Sequence, residues 1–198
     1  MYPEEDLIIS TLDSAGILGI DEAGRGPLAG PVYAAAVVIG QDFPVSCLDD
    51  SKRLTAAERL EAEILIKKHA RAWAIAFATH VEIDRMNILN ATMLAMRRAA
   101  LKIPPELFSS VLVDGNRVPD LGFEDRIVMP VVKGDAKIHA IMAASILAKT
   151  ARDRFMDFCD RRWPEYGYAV HKGYPTAAHR QIIKEIGPSP IQRRTFRC

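Results

Sequence analysis

The stretch GIDEAGRGP (Gly19–Pro27) places two carboxylates between an apolar run and a tight turn. The apolar run Ile17–Ile20 is typical of a buried strand, and Asp21 and Glu22 follow it directly. Adjacent carboxylates at a buried strand end are costly unless a cation compensates their charge. Divalent metal ions are the commonest partners of clustered hard oxygens. The Gly24–Gly26 turn adds a cation and close backbone amides, which suit a phosphate. Metal and phosphate together indicate phosphodiester chemistry.

The composition predicts one packed domain spanning residues 1–198. The chain is 49% hydrophobic and 26% charged, as expected for a domain with an apolar core. No apolar run approaches the roughly 20 residues needed to span a bilayer, and the acidic N-terminus lacks the basic region of a signal peptide. The three cysteines are far apart and form no CxxC pair, which argues against a zinc site or a disulfide framework. We therefore expect a cytoplasmic protein with no membrane partner.

The apolar periodicity predicts an α/β fold. Thr55 and Glu58 form the pattern of a capping box that begins a helix. Further helices are predicted at about residues 87–101, 136–162 and 176–186. Short aliphatic runs bounded by turn residues predict strands at Gly16–Asp21, Val32–Ile39, Trp73–Thr79, Val111–Val113 and Ile127–Val132. The first three strands could pair antiparallel, whereas helices separate the later two from them. This order favours a mixed sheet with helices packed on it.

Two further carboxylates stand at the ends of predicted strands. Asp114 follows Val111–Val113, and Asp135 follows an apolar run that ends in Lys-Gly. If these strands neighbour the first one, Asp114 and Asp135 converge with Asp21 and Glu22, and such a cluster cannot stay fully ionised without cations. Two Mg²⁺ or Mn²⁺ ions about 3.5–4 Å apart would supply them, activate a water molecule and stabilise the leaving oxygen. Taken singly, each aspartate has a structural alternative, because Asp-Gly is a common turn and Asp135 could cap a helix.

Three other segments could contact the backbone of a nucleic acid. Gly24–Gly26 lacks the Gly-Lys-Ser/Thr ending of a nucleotide-binding loop, so it either clasps a nucleic-acid backbone or is only a tight turn. Ser51 and Lys52 precede the capped helix, where they could hold a phosphate or lie in a solvated loop. Tyr174 ends the loop His-Lys-Gly-Tyr, which combines cations with an aromatic ring. A lone tyrosine in a loop is nonetheless more often a packing residue.

The C-terminal third carries most of the excess positive charge. The net charge is only +1, but from Lys149 onward the chain has 11 basic and 5 acidic side chains. A basic region in a nearly neutral protein suggests an anionic partner. Arg152, Arg161 and Arg162 are the residues expected to hold duplex phosphates, and a solvated helix face is the alternative.

Over nearly its full length the chain closely resembles bacterial ribonuclease HII, the type 2 ribonuclease H. Long motifs in the right order carry the resemblance: GIDEAGRGPLAGPV (Gly19–Val32), LDDSKRLT (Leu48–Thr55), MNILNATMLAM (Met86–Met96), VLVDGNRVP (Val111–Pro119), VVKGDAKI (Val131–Ile138), AASILAKTARD (Ala143–Asp153), YGYAVHKGYPT (Tyr166–Thr176) and QRRTF (Gln192–Phe196). Together they are far more specific than any one motif.

The resemblance implies a ribonuclease H-like fold, with a central mixed five-stranded sheet flanked by helices and a helical, substrate-binding C-terminal segment from about residue 163 to 198. It implies hydrolysis of the RNA strand of RNA–DNA hybrids. It also implies incision on the 5′ side of single ribonucleotides embedded in duplex DNA, leaving 3′-hydroxyl and 5′-phosphate ends. The family's catalytic, metal-binding carboxylates fall on Asp21, Glu22, Asp114 and Asp135, with two divalent ions, Mn²⁺ or Mg²⁺, as cofactors.

Substrate contacts are implied in the same way. The family's reader of the ribose 2′-hydroxyl falls on Gly24, Arg25 and Gly26, and its junction-sensing tyrosine falls on Tyr174. Ser51, Lys52 and Lys149 match positions expected to contact backbone phosphates. Gln192 stands where the family usually has histidine and Thr195 where it has serine, and these departures concern the C-terminal contacts rather than the chemistry. We expect a monomer.

Two other functions are compatible with parts of the pattern. Another ribonuclease H-like nuclease, such as a Holliday-junction resolvase, would share the acidic cluster but need no reader of the 2′-hydroxyl. A nucleic-acid-binding module would use the acids only structurally and would cleave nothing in Mg²⁺ or Mn²⁺.

Overall fold

The computed structural model describes residues 3–12, 16–48 and 54–197. Its strands are β1 (Ile17–Ala23), β2 (Val32–Val38), β3 (Ala72–Ala78), β4 (Ser110–Asp114) and β5 (Ile127–Val131). Its helices are α1 (Pro3–Thr11), α2 (Ala56–His69), α3 (His80–Ala100), α4 (His139–Arg162), α5 (Tyr168–His171) and α6 (Ala177–Ile186). All five predicted strands are confirmed, with ends that move by one or two residues.

The five strands form one mixed sheet in the order β3-β2-β1-β4-β5. β1 pairs antiparallel with β2 and parallel with β4, so it lies at the centre of the sheet. Ile20 is opposite Val113 in the parallel pair. The next residues along the two strands, Asp21 and Asp114, therefore reach the same edge of the sheet side by side.

Helices cover both faces of the sheet. α3 and its apolar side chains pack on one face, and α2 and α4 pack on the other. α4 approaches β1 so closely that a Cβ on Gly19 would lie 2.2 Å from the backbone carbon of Ala140. Only glycine is compatible with that approach. Within the described residues no helix is both long and apolar enough to cross a membrane.

The predicted start of α3 is wrong. The helix begins at His80 rather than at about Asn87, because Thr79 and Glu82 form a capping box. Asn87 has a positive φ of 69° and interrupts the helix. Its Oδ1 accepts a hydrogen bond from the Asn90 amide at 3.1 Å, so it caps the second part of α3. The predicted capping box at Thr55 and Glu58 is confirmed.

Candidate active site

Asp21 is a carboxylate at the end of the central strand with only 4% of its surface exposed. Its Oδ1 accepts a hydrogen bond from the Glu22 amide at 2.6 Å, and its carboxyl group also interacts with the Ser145 hydroxyl. Burial raises the pKa of Asp21 well above its usual value, and the neighbouring charges of Glu22 and Asp114 raise it further. The fold thus places an acid where the ionised form lacks sufficient compensation.

A hydrogen bond links the backbone amide of Asp135 to the side chain of Asp114. Asp114 is the last residue of β4, and Asp135 lies in the 3₁₀ turn Gly134–Ala136 that precedes α4. The Asp135 amide donates to Asp114 Oδ1 at 3.3 Å. Lys133, with φ 56°, turns the chain between β5 and this segment. The two aspartates are therefore neighbours, as their positions after β4 and β5 predict.

A cavity of ≈ 240 Å³ brings together side chains from four distant parts of the chain. Ten residues line it: Asp21, Glu22, Ala23, Gly24, Arg25, Gly26, Asp114, Ser145, Lys149 and Tyr174. Most of the residues singled out in the sequence thus share one concave site. Asp135 does not line it, although its backbone touches Asp114.

The donor set of this cavity suits a hard divalent cation. Carboxylate oxygens are the ligands that Mg²⁺ and Mn²⁺ prefer, and the lining contains neither histidine nor cysteine. Among the described residues, no three or more His, Cys, Asp or Glu side chains are drawn together as a ready metal-binding group. The assignment of particular carboxylates to an ion therefore remains a prediction.

Among the described residues two cations, Arg25 and Lys149, line the cavity, and each also interacts with an acid. Arg25 Nη1 is 3.6 Å from Glu22 Oε1. Lys149 Nζ donates to Asp153 Oδ1 at 2.7 Å, one helical turn along α4. Lys149 is thus close enough to the site for a phosphate contact, but its ion pair with Asp153 competes for the ammonium group.

The turn Gly24–Gly26 forms one wall of the cavity and Tyr174 another. Gly24 has φ 101°, a conformation that favours glycine. A Cβ on Gly26 would meet the Tyr174 ring at 3.7 Å, an ordinary contact. The side chain of Tyr174 is partly exposed at the cavity mouth, and the His179 ring, buried beneath it, hydrogen-bonds the Tyr174 carbonyl at 2.9 Å.

The position of Arg152 differs from the expectation that this basic residue holds duplex phosphates at the surface. Arg152 is 1% exposed, so it cannot hold duplex phosphates, whereas Arg161 and Arg162 are exposed. A sequence signal for this burial exists, because Ala148, Arg152, Met156 and Cys159 recur at helical spacing and all are buried. Arg193 is also fully buried, and sequence reasoning missed its role.

Two predicted phosphate contacts, Ser51 and Lys52, lie outside the described residues. A larger cavity of ≈ 540 Å³ lies between the start of α3 and the C-terminal segment. Among the described residues that line it, the one carboxylate is Asp84, which already accepts hydrogen bonds from the Arg194 and Thr195 amides. The smaller, acid-lined cavity is therefore the better candidate active site.

The fold and this acidic site define a ribonuclease H-like enzyme. The structure is similar to ribonuclease H2 from Pyrococcus horikoshii OT3, with a TM-score of 0.73 and 29% identity, covering 91% of this chain and 93% of that one. It shares its fold with Bst-RNase HIII, solved in complex with Mn²⁺, at a TM-score of 0.70 and 23% identity, over 91% of this chain and 66% of that one.

Sequence comparison identifies the family. The ribonuclease HII family model matches residues 18–198. Ribonuclease HII of Laribacter hongkongensis (strain HLHK9) is 55% identical over 182 residues, which cover 91% of this chain and 90% of the relative. The chain belongs to the ribonuclease HII family. It is a metal-dependent endoribonuclease that acts on RNA–DNA hybrids, and neither the resolvase nor the non-catalytic alternative is supported.

Proposed function

We propose that this enzyme, besides cleaving the RNA strand of hybrids, incises duplex DNA on the 5′ side of a single embedded ribonucleotide and leaves 3′-hydroxyl and 5′-phosphate ends. One observation supports this most: a single cavity joins the buried Asp21 and the half-buried Glu22 and Asp114 to a glycine turn and an aromatic side chain. Carboxylates provide for phosphodiester hydrolysis, and the turn with the ring provides for the recognition of one sugar.

The catalytic half of the proposal assigns two Mg²⁺ or Mn²⁺ ions to Asp21, Glu22, Asp114 and Asp135. Such ions, when bound, lower the pKa of a water molecule and stabilise the leaving oxygen. The chain's own contribution is to hold the acids at one sheet edge. Asp21 is supported there by the Glu22 amide, and Asp114 by the Asp135 amide. These bonds keep the carboxylates oriented before substrate arrives.

The recognition half rests on the turn and on Tyr174. The 2′-hydroxyl distinguishes RNA from DNA, and a few donors and acceptors on a rigid turn are enough to read it. Gly26 has no side chain of its own, so its backbone allows close approach, and a Cβ there would meet the Tyr174 ring at 3.7 Å. Tyr174 would pack on the sugar and place the scissile phosphate against the acids.

We also propose that the enzyme acts as a monomer in the cytoplasm. All ten described residues that line the cavity come from one chain. Cys47 and Cys159 are free thiols, which suits a reducing compartment. In this proposal residues from about 163 onward support the substrate, because they bring Tyr174 to the cavity.

A cleavage assay with matched duplexes tests the proposal. Duplex DNA with one ribonucleotide, a long RNA–DNA hybrid and an all-DNA duplex would each be incubated with Mg²⁺ and with Mn²⁺. We expect cleavage of the first two only, with a 5′-phosphate at the new end. Cleavage of the all-DNA duplex, or none of the single-ribonucleotide duplex, would contradict it.

Tyr174→Ala separates recognition from binding. Phosphate contacts dominate duplex affinity, so the variant should bind with nearly normal Kd but incise about 100-fold more slowly under single turnover. Tyr174→Phe is the matched control, since it keeps the ring that packs on the sugar. Equal proportional losses in rate and affinity for Tyr174→Ala would make the tyrosine a general contact.

A further inference from the structure

Arg193 is fully buried, and its guanidinium group hydrogen-bonds the backbone of the Gly24–Gly26 turn. Its Nη2 donates to the Gly24 carbonyl at 2.6 Å and its Nη1 to the Arg25 carbonyl at 2.9 Å. Its Nε donates to the Gly30 carbonyl at 2.8 Å. The backbone beside it is pinned as well, because the Arg193 amide donates to the Leu28 carbonyl at 2.8 Å. A side chain five residues from the C-terminus thus organises the loop that follows β1.

Arg152 supports the same loop from α4. Its Nε donates to the Pro31 carbonyl and its Nη2 to the Ala29 carbonyl, both at 3.2 Å. Its guanidinium carbon lies 5.8 Å from the centre of the Tyr174 ring. A Cβ on Gly24 would fall 2.1 Å from Arg152 Nε, so the guanidinium packs directly against the α-carbon of the turn. The buried Arg152 side chain therefore lies against both the Gly24–Gly26 turn and Tyr174, the two parts of the proposed site of sugar recognition.

The carbonyl bonds decide which way the turn presents its amides. In a planar trans peptide the C=O and the following N–H point in opposite directions. Because the Gly24 carbonyl points toward Arg193, the Arg25 N–H points away from it. Because the Arg25 carbonyl also points toward Arg193, the Gly26 N–H points away as well. Two successive donors are thus turned from the protein interior, at residues that line the acidic cavity.

Burying the charged side chains of both Arg152 and Arg193 against one loop carries a desolvation cost. Among the described residues neither arginine forms an ion pair with a carboxylate at up to 4.0 Å, and backbone carbonyls take that place. Burial, and then the neighbouring Arg152 cation, lower the pKa of Arg193 to about 9, so it stays charged at neutral pH. Apolar residues of similar volume would pack as well. Only a guanidinium offers a planar fork of donors that can orient several carbonyls at once.

We propose that Arg193 and Arg152 are positioning residues for the reaction, which orient the Gly24–Gly26 turn so that the Arg25 and Gly26 amides face the sugar at the cleavage site. The inference rests on the proposed function, since it assigns the reading of that sugar to the same turn. It gives the C-terminal Gln192–Phe196 motif a role inside the protein rather than on the nucleic acid.

Arg193→Lys tests the proposal with Arg126→Lys as the matched control. Lysine keeps the charge at position 193 but lacks the planar fork of donors with which the guanidinium orients carbonyls on separate residues. Arg126 also holds loop carbonyls, those of Pro105 and Phe108 at 2.8 and 2.9 Å, but it does so at the opposite end of β4 from Asp114. Each variant would be compared with wild type for melting temperature, duplex Kd, and the amplitude and rate constant of single-turnover cleavage.

We expect both lysine variants to melt at lower temperature and to keep the wild-type Kd. The rate constant should fall about 100-fold in Arg193→Lys alone, because a small misplacement of the turn is costly for the reaction. A merely structural arginine would lower the amplitude, which reports the folded fraction, and leave the rate constant of the active molecules unchanged. A wild-type rate constant in Arg193→Lys overturns the proposal.

Two further arms keep the test decisive. If Arg193→Lys does not fold, Arg152→Lys is judged by the same criteria, and an unchanged rate constant overturns the proposal. The long RNA–DNA hybrid is cleaved in parallel. If wild type cuts the hybrid but leaves the single-ribonucleotide duplex intact, the proposed function fails, and the rate constants of the arginine variants on the hybrid still decide the inference.

Discussion

Asp21 and Glu63 are both buried carboxylates, with 4% and 2% of their surface exposed, yet their surroundings are opposite. Glu63 Oε1 accepts from Lys67 Nζ at 2.6 Å and Glu63 Oε2 from Arg154 Nη2 at 2.7 Å. Burial alone would raise the pKa of Glu63, but these two cations outweigh it and lower the pKa. At Asp21 burial and two further acids, Glu22 and Asp114, all raise the pKa.

The difference separates a structural charge from a functional one. Between α2 and α4 the chain supplies the countercharge itself. The cluster of Glu63, Lys67 and Arg154, called the Glu63 cluster here, is therefore complete when the protein folds. At the end of β1 the chain instead places two further acids beside the buried Asp21, with Arg25 3.6 Å from Glu22, and a bound divalent cation would add countercharge there. A strongly perturbed acid in a cavity is the usual mark of an active site, and here a divalent cation is the partner that fits the donors.

The largest expected effect on the cleavage rate is that of a substitution at Asp21, the functional acid of this comparison. Asp21→Asn should lower the cleavage rate by at least about 10³-fold, because it removes a charge proposed to hold the metal ions. Its melting temperature should stay the same or rise in metal-free buffer, since one of several repelling acids is lost. Near-normal cleavage by Asp21→Asn would remove this residue from the catalytic set.

Glu63→Gln is the mirror experiment. It should leave the rate constant unchanged and lower the free energy of unfolding by about 1–3 kcal/mol, because Lys67 and Arg154 lose a charged acceptor. Denaturant unfolding and single-turnover cleavage on the same preparation measure the two quantities. A loss of rate without a loss of stability would mean that the Glu63 cluster belongs to the active site.

Alanine substitutions at Gly24 and Gly26 should likewise separate an effect on stability from an effect on the cleavage rate. Gly24→Ala should destabilise the protein by about 2–4 kcal/mol, because φ is 101° and the new Cβ would collide with Arg152. Gly26→Ala has only an ordinary contact with Tyr174 and should change stability by less than about 0.5 kcal/mol. It should still slow incision at a ribonucleotide by about 10–100-fold if the substrate backbone approaches here. Normal incision by Gly26→Ala would move the sugar contact elsewhere.

The two acids should also give opposite pH dependences in the presence of a chelator. The raised pKa of Asp21 means that the folded protein binds this proton more tightly than the unfolded chain does. Its contribution to stability is therefore present at low pH and is lost as the pH rises from the usual value of 3.8 through the folded-state pKa. The lowered pKa of Glu63 has the reverse sign, and its contribution is lost as the pH falls below 4.5.

Unfolding curves from pH 3 to pH 7 would measure both slopes, each at most about 1.4 kcal/mol per pH unit. Asp21→Asn should remove the loss on the alkaline side, and Glu63→Gln the loss on the acid side. Slopes that do not change in the respective variants would contradict the assignment of these charges.

The smallest effect concerns the exposed arginines of α4. Arg162→Ala should weaken duplex binding a few-fold and reduce the log–log salt slope by about 1 if Arg162 meets a phosphate. Arg161→Ala is the neighbouring comparison. Unchanged affinity and slope in both would leave this end of the helix as a solvated face.

Local patterns carried most of the fold prediction. The strands were predictable because short aliphatic runs end in glycine, proline or aspartate, and the capping box at Thr55 was read correctly. The equivalent box at Thr79 and Glu82 is just as visible in the sequence. The aliphatic pattern extends the predicted third strand to Thr79, so this box falls inside the strand and the predicted helix begins only near residue 87.

By itself the sequence determined that an acid ends or closely follows each of three strands and that a glycine turn follows the first, because each of these features is local to a few residues. Only the tertiary structure decided which charges are compensated. Arg152 and Arg162 carry the same side chain on one helix, and Glu63 resembles any helical glutamate. Burial and partners depend on segments far apart, such as Arg193 and Gly24, which are 169 residues apart along the chain and 2.6 Å apart in space.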